Sequence, residues 1–233
     1  AAYYFGGHID KARMFMASNK LVTHMLDKSR YNRRLHAIGE KIGILFLEIG
    51  QRIKQITACR DFIVDSFPVP VCDNIRINRS KLVKGEAYRG YQASMRRYFY
   101  GIKVQLLTTD KGIPVEFTFT AGSKADIKGL EQLPLSLASG SSVYGDAAYT
   151  NYQIEDWLKE EGIHLSPQRR SNSKRADNAC VSYIKEGMRK RIETTISGIK
   201  ALFLRKIHAV TLRGFLIKIL LFLLAFSVNS STL

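Results

Sequence analysis

The sequence predicts an α/β protein: a mixed sheet with helices on both faces, preceded by a small helical N-terminal segment. Three observations lead there. Residues 1 to about 55 carry apolar residues at helical spacing, with Leu35, Ile38, Ile42, Leu45 and Ile49 on one stripe. From residue 61 the pattern changes to short apolar, strand-like runs. Beyond residue 125 such runs alternate with helical stretches, the pattern of a sheet covered by helices. The chain has 233 residues, 45% of them hydrophobic and 10% aromatic, enough to bury a full core.

The elements follow in order. In the first segment, Ser18-Asn19 is expected to cap one helix and Ser29 another. Lys28, Arg30, Arg33 and Arg34 cluster ahead of the apolar stripe, which reads equally as a DNA-binding arm or as a solvated helix start. Phe62–Ser66 is the first strand. Residues 98–109 and 113–120 form a hairpin across the turn Asp110-Lys111-Gly112. A helix is expected at 125–133, a strand at 142–147, a helix at 151–161 and a strand at 163–166. Helices at 178–203 and 211–228 complete the chain. This is the order of the RNase H-like fold. It divides the chain into a helical N-terminal segment, 1–55, and an RNase H-like domain, 56–233.

Charge narrows the function. Lys and Arg number 36 against 20 Asp and Glu, a formal net charge of +16. Such an excess points to a polyanionic partner, nucleic acid before membrane. The three cysteines, Cys59, Cys72 and Cys180, form no CxxC pair, and with five scattered histidines they make no zinc pattern. They read as reduced thiols. The apolar run Phe215–Phe226 contains Lys218 and falls short of the ~20 residues a membrane span needs, so a buried terminal helix is expected. The chain starts Ala-Ala-Tyr-Tyr, without methionine or a visible secretory signal, as a fragment or processed product would.

Three acids stand out against this basic background. Asp65 lies in the strand-like Phe62-Ile-Val-Asp-Ser66, Asp146 closes Ser142-Val-Tyr-Gly-Asp146, and Glu193 sits in the basic helical run Met188–Ile196. A carboxylate beside buried apolar strands is costly unless it is paired or binds a metal. Phosphodiester cleavage can use two Mg²⁺ ions to stabilise the attacking and leaving oxygens. Mg²⁺ takes hard oxygen ligands and only a few carboxylates. Asp65 is placed to bridge two ions, with Asp146 and Glu193 holding one each. Arg189 and Lys200, four residues before Glu193 and seven after it, share its helix face and suit phosphates. Between Arg76 and Lys103 there are eight basic residues and one acid, interleaved with Tyr88, Tyr91, Tyr98 and Tyr100. Basic side chains release counterions from a nucleic-acid backbone, and tyrosines can stack on splayed bases.

Taken together, these motifs resemble the DDE transposases of bacterial insertion sequences, most nearly the insertion sequence 982 family within the insertion sequence 4-like group. The resemblance covers the chain from about residue 30 onward. Its most specific elements are Val64-Asp-Ser-Phe-Pro-Val-Pro-Val-Cys72, Tyr100-Gly-Ile-Lys-Val-Gln-Leu106, Gly112-Ile-Pro114 and Ala121-Gly-Ser-Lys-Ala-Asp126. Val143-Tyr-Gly-Asp-Ala-Ala-Tyr149 and Arg189-x3-Glu193-x6-Lys200 follow.

The resemblance implies metal-dependent nicking of double-stranded DNA at the ends of a mobile element, then transfer of the freed 3′-hydroxyl to target DNA. Asp65, Asp146 and Glu193 would be the catalytic metal ligands, for Mg²⁺ with Mn²⁺ able to substitute. Lys103, Arg189 and Lys200 would position phosphates. It also implies at least a homodimer in the active complex and a bacterial cytoplasmic, nucleoid-associated location without membrane contact. Other readings are a different RNase H-like metal nuclease, or a non-catalytic DNA-binding protein derived from a transposase.

The chain departs from the wider group in having Glu186 where a tyrosine often precedes the arginine; Tyr183 lies one turn earlier. Only 46 residues separate Asp146 from Glu193, too few for the large β-rich insertion of some relatives. Of the remaining acids, Asp110 suits a turn and Asp126 a helix start, where its charge meets the dipole. Asp10, Asp61 and Glu116 are further acids that could be proposed as metal ligands. Asp73 is close enough to Asp65 to substitute for it, but Pro68 and Pro70 are expected to interrupt any strand between them, so parity does not rank it. Trp157, on the helix after Asp146, is expected to anchor the core rather than stack on a flipped base.

Overall fold

The computed structural model describes residues 2–72, 80–92, 95–203 and 207–231. Four helices come first: α1 (Ala2–Phe5), α2 (Ile9–Ser18), α3 (Lys28–Ala37) and α4 (Gly39–Thr57). The caps differ from expectation. Asp27, not Ser29, starts α3: its carboxylate accepts the Ser29 and Arg30 N–H groups, each at 2.9 Å. Ser18 and Asn19 end α2 instead of starting a helix. The apolar stripe is split by the break at Ile38. Ile42 and Phe46 of α4 enter the core, whereas Ile38 and Leu45 stay exposed.

Six strands form one mixed sheet: β1 (Asp61–Cys72), β2 (Arg89–Gln92), β3 (Arg97–Thr109), β4 (Pro114–Ala121), β5 (Ser141–Gly145) and β6 (Ile163–Pro167). The path is β2-β3-β1-β5-β6, and β4 shares the outer edge of β3 with β2. β1, β2 and β4 pair antiparallel with β3, while β1–β5 and β5–β6 are parallel. An antiparallel meander followed by two parallel crossover strands is the RNase H-like order, as expected. β2 was not anticipated; its four residues are too few to show a period.

β1 runs through Pro68 and Pro70, correcting the expected interruption. β5 pairs only with Asp61–Ile63, so among the described residues no strand lies beside that edge of β1 beyond Ile63. Along this open edge the Ser66 N–H donates to its neighbour's carboxylate, Asp65 Oδ1, at 2.7 Å. Pro68 and Pro70 have the parity of Ser66, so their missing N–H groups leave no rung empty.

Helices α5 (Asp126–Leu130), α6 (Tyr152–Glu160), α7 (Ala179–Leu202) and α8 (Leu212–Ser231) complete the fold. Period-2 alternation along β1 divides the core between the two faces. Ile63, Phe67 and Val69 pack with Phe46, with Ile192, Ile196 and Ile199 of α7, and with Phe215, Ile219 and Leu223 of α8. Phe62 and Val64 pack on the other face with Leu130 of α5, Tyr149 and Leu158 of α6. The helix α8 has 20 residues and is long and apolar enough to cross a membrane, which corrects the expected shortfall in length. In this fold its inner side belongs to the first of these clusters, as expected of a buried terminal helix.

α4 crosses β4 in tight contact, since a methyl group at Gly50 would lie 2.0 Å from the Val115 carbonyl oxygen. One turn on, Lys54 Nζ meets the buried Glu116 carboxylate at 2.7 Å. Glu116 also accepts the N–H groups of Leu135 and Ser136, at 2.7 and 3.0 Å. This acid is a structural pillar, remote from the cleft described next.

Candidate active site

Where β1 and β5 part, two acids are carried to the same place. The last parallel rung joins Ile63 to Tyr144. Asp65 and Asp146 each lie two residues beyond it, so by strand parity both point to the face of Ile63 and Tyr144. That face is covered by α7. Its buried Ile192, Ile196 and Ile199 fix the helix rotation, and Arg189, Glu193 and Lys200 line an open cleft of about 540 Å³ together with Asp65 and Asp146. Lys103 of β3 lines the same cleft. All six site residues expected from the sequence therefore meet in one depression.

The helix is held firmly at its N-terminal end. Asn178 caps it, accepting the Val181 N–H at 2.8 Å. Lys185 is buried, with Nζ on both oxygens of Asp177 at 2.7 Å and on the Pro167 carbonyl at 2.9 Å. Arg169 makes two bonds to Glu155, at 2.8 and 2.7 Å. Lys185 thus ties α7 to the end of β6, and Arg169 ties the connection between them to α6, which sets where Glu193 stands relative to the aspartates.

The electrostatics are those of buried carboxylates with like charges nearby. Burial pushes Asp65 from 3.8 up to about 7; the Ser66 N–H opposes this, and the charges of Asp146 and Asp126 add to it. Asp146 is also raised, by burial first, against the N–H of Ala148, which it accepts at 2.8 Å. Lys200 is lowered by burial, with Asp65 opposing, and its Nζ lies 5.3 Å from the centre of the Phe67 ring. Glu193 is turned toward Arg189, whose Nε donates to Oε1 at 2.8 Å, and Arg189 also reaches Gln168 at 3.3 Å. Among the described residues no three His, Cys, Asp or Glu side chains are drawn together tightly enough to hold a metal ion. The guanidinium accounts for the position of Glu193: a paired carboxylate has no reason to approach two like charges.

Asp126 was missed as a site residue. It lies in the first turn of α5 as expected, yet its carboxylate makes no cap. Instead Oδ1 accepts from Ser66 Oγ at 2.6 Å and Lys103 Nζ at 3.0 Å, and from Gln105 Nε2 at 3.4 Å. Gln105 in turn accepts from the buried Tyr149 hydroxyl at 2.7 Å. Ser66 thus holds Asp65 by its N–H and Asp126 by its hydroxyl. The Ala121–Asp126 motif was the available signal, but a helix start explained it more simply. Asp126→Asn is expected to cost about 1–2 kcal/mol in urea unfolding, because a charged acceptor becomes neutral. It should also lower the pKa of Asp65, followed by carboxyl NMR titration, since one negative neighbour is gone.

Trp157 neither anchors the core nor reaches the cleft. It is 59% exposed and borders a separate groove with Leu133, Pro134 and Ile154. α6 turns its Leu158 inward instead. Asp10 pairs with Arg13, and Asp110 accepts from Cys59 beside the turn. Asp61 accepts from the Tyr144 hydroxyl. Asp73 lies outside the described residues.

No curated protein matches the chain in sequence. A solved structure, the cryo-EM structure of a piggyBac transposase synaptic complex with hairpin DNA, is similar at 11% identity, with a TM-score of 0.49. The match covers 74% of this chain and 47% of that one, so the chain spans less than half the length of that protein. The family model described as the transposase DDE domain matches residues 55–208, from the end of α4 to beyond α7 and through all three acids. The chain belongs to the family of DDE-domain transposases.

Proposed function

We propose that this chain is a transposase of the insertion sequence 982 type. In this reading it nicks double-stranded DNA at the ends of its element and transfers the 3′-hydroxyl to target DNA. The observation that carries the reading is the convergence of Asp65, Asp146, Glu193, Arg189, Lys200 and Lys103 on one cleft. Three carboxylates offer only hard oxygen donors, which fits Mg²⁺ or Mn²⁺. Burial, helped by the charges of Asp146 and Asp126, keeps Asp65 protonated to near neutral pH, and a cation there would offset both. Asp65 and Asp146 would hold such ions, joined by Glu193 once it leaves Arg189. Bound metal would supply charge stabilisation to the attacking and leaving oxygens.

The protein's own groups do the rest. Arg189, released from Glu193, and Lys200, on the next turns of the same helix, are placed to take phosphate oxygens. Lys103 shares its charge between Asp126 and the substrate backbone. The exposed Lys28, Arg30, Arg33 and Arg34 of α3 would make residues 1–55 a DNA-binding arm beside the catalytic domain, 56–233. The active complex would be a dimer at least, because two ends must be joined, working on the nucleoid in a bacterial cytoplasm.

The test is a strand-transfer assay in Mg²⁺ with DNA bearing the inverted repeats that bracket the gene. The expected result is joining of the 3′ end to target DNA. Nicking without joining would indicate another RNase H-like nuclease, and binding without nicking a non-catalytic DNA-binding protein.

A further inference from the structure

Of the four tyrosines interleaved with basic residues, the fold withdraws two and presents two. Tyr88 packs against the core and Tyr100 is buried with its hydroxyl donating to the Gly85 carbonyl. Tyr91 and Tyr98 face each other across the β2–β3 ladder and are 52% and 49% exposed. Their ring centres lie 5.0 Å apart at 58°, and the Arg89 guanidinium sits 4.6 Å above the Tyr98 ring. Tyr91 also lines the cleft that holds Asp65, Asp146 and Glu193.

We infer that Tyr91, Tyr98 and Arg89 form a stacking platform for an unpaired nucleobase beside the cleaved phosphodiester. This rests on the DNA-cleaving reading of the cleft. In a duplex the base faces are covered by their neighbours and only edges and backbone are offered. Exposed aromatic faces with a stacked guanidinium gain little from such a surface. They gain much from a base that has left the stack, and they do so without regard to its identity. The position suits that ligand: the platform borders the acids, where a strand is opened and its end must be held clear.

The test compares binding of a single-stranded oligodeoxythymidylate and a fully paired duplex of equal length, by fluorescence anisotropy without metal. Tyr91→Leu and Tyr98→Leu are expected to weaken single-strand binding about tenfold, the loss of one stacked base, and to leave duplex binding unchanged. Tyr91→Phe and Tyr98→Phe, which keep the ring, should bind both as the wild type does. Equal losses on both DNAs, no loss on either, or phenylalanine variants as weak as the leucine ones would overturn the platform. Wild-type protein that binds neither DNA would overturn the DNA reading of the cleft, and the platform with it.

Discussion

Asp65→Asn is expected to abolish cleavage and, at the same time, to make the metal-free protein more stable. Losing one carboxylate from a three-acid site removes several kcal/mol of charge stabilisation in the transition state, so nicking should fall at least about 10³-fold. DNA affinity should stay within about twofold, because the basic surface is untouched. The stability gain follows from burial. Asp65 titrates near 7 in the fold against 3.8 as an ordinary aspartate. Between those values the folded chain binds more protons than the unfolded one, so the wild type loses stability as pH rises through that window. The loss levels off about a unit above pH 7 and amounts to roughly 4 kcal/mol at most. An asparagine carries no charge there and its oxygen can still accept the Ser66 N–H. The variant should therefore melt several degrees higher at pH 8, and the difference should shrink towards nothing near pH 4. A wild-type cleavage rate, or equal melting temperatures at pH 8, would remove Asp65 from the role given it.

The second large effect concerns stability alone. Lys54→Met leaves the Glu116 carboxylate, only 1% exposed, without its cation. Breaking a buried pair by removing one partner costs about 3–5 kcal/mol. For a chain of this size that lowers the melting temperature by about 10 °C. Lys54→Met/Glu116→Gln should recover part of the loss. The amide is neutral, and its one oxygen can still accept one of the two N–H groups, Leu135 (now on Oε2) or Ser136 (now on Oε1), which is why the recovery is partial. DNA binding at low temperature should not change in either variant. A single variant as stable as the wild type would show that the pair contributes nothing.

These two acids show what can be read from a sequence. Asp65 and Glu116 both sit in strand-like runs, and either suits a metal by residue type. Asp65 was singled out by its motif, while nothing local announced that Glu116 is answered by Lys54, 62 residues away along the chain. Asp126 failed for the opposite reason. A first-turn aspartate has a sufficient local explanation, and its true partners, Ser66 and Lys103, come from two other strands. Trp157 failed because helical periodicity gives neighbours but not the direction of the core. Leu158, one position on, took the inward place. The prolines of β1 misled because a strand with one open edge tolerates them, and openness is a property of the sheet.

The sequence by itself determined the α/β class, the order of strands and helices after residue 60 apart from β2, and which three acids to look for beside a basic helix. These are encoded in periods of 2 and 3.6 and in short motifs, which need no knowledge of distant contacts. Only the tertiary structure decided that β5 leaves β1 after Ile63, bringing Asp65 and Asp146 onto one face. It also decided that Glu193 rests on Arg189, and that of the four tyrosines set among the basic residues it is Tyr91 and Tyr98 that stay in the open. Each depends on where one element ends against another, and the packing of the whole sheet and its helices sets that.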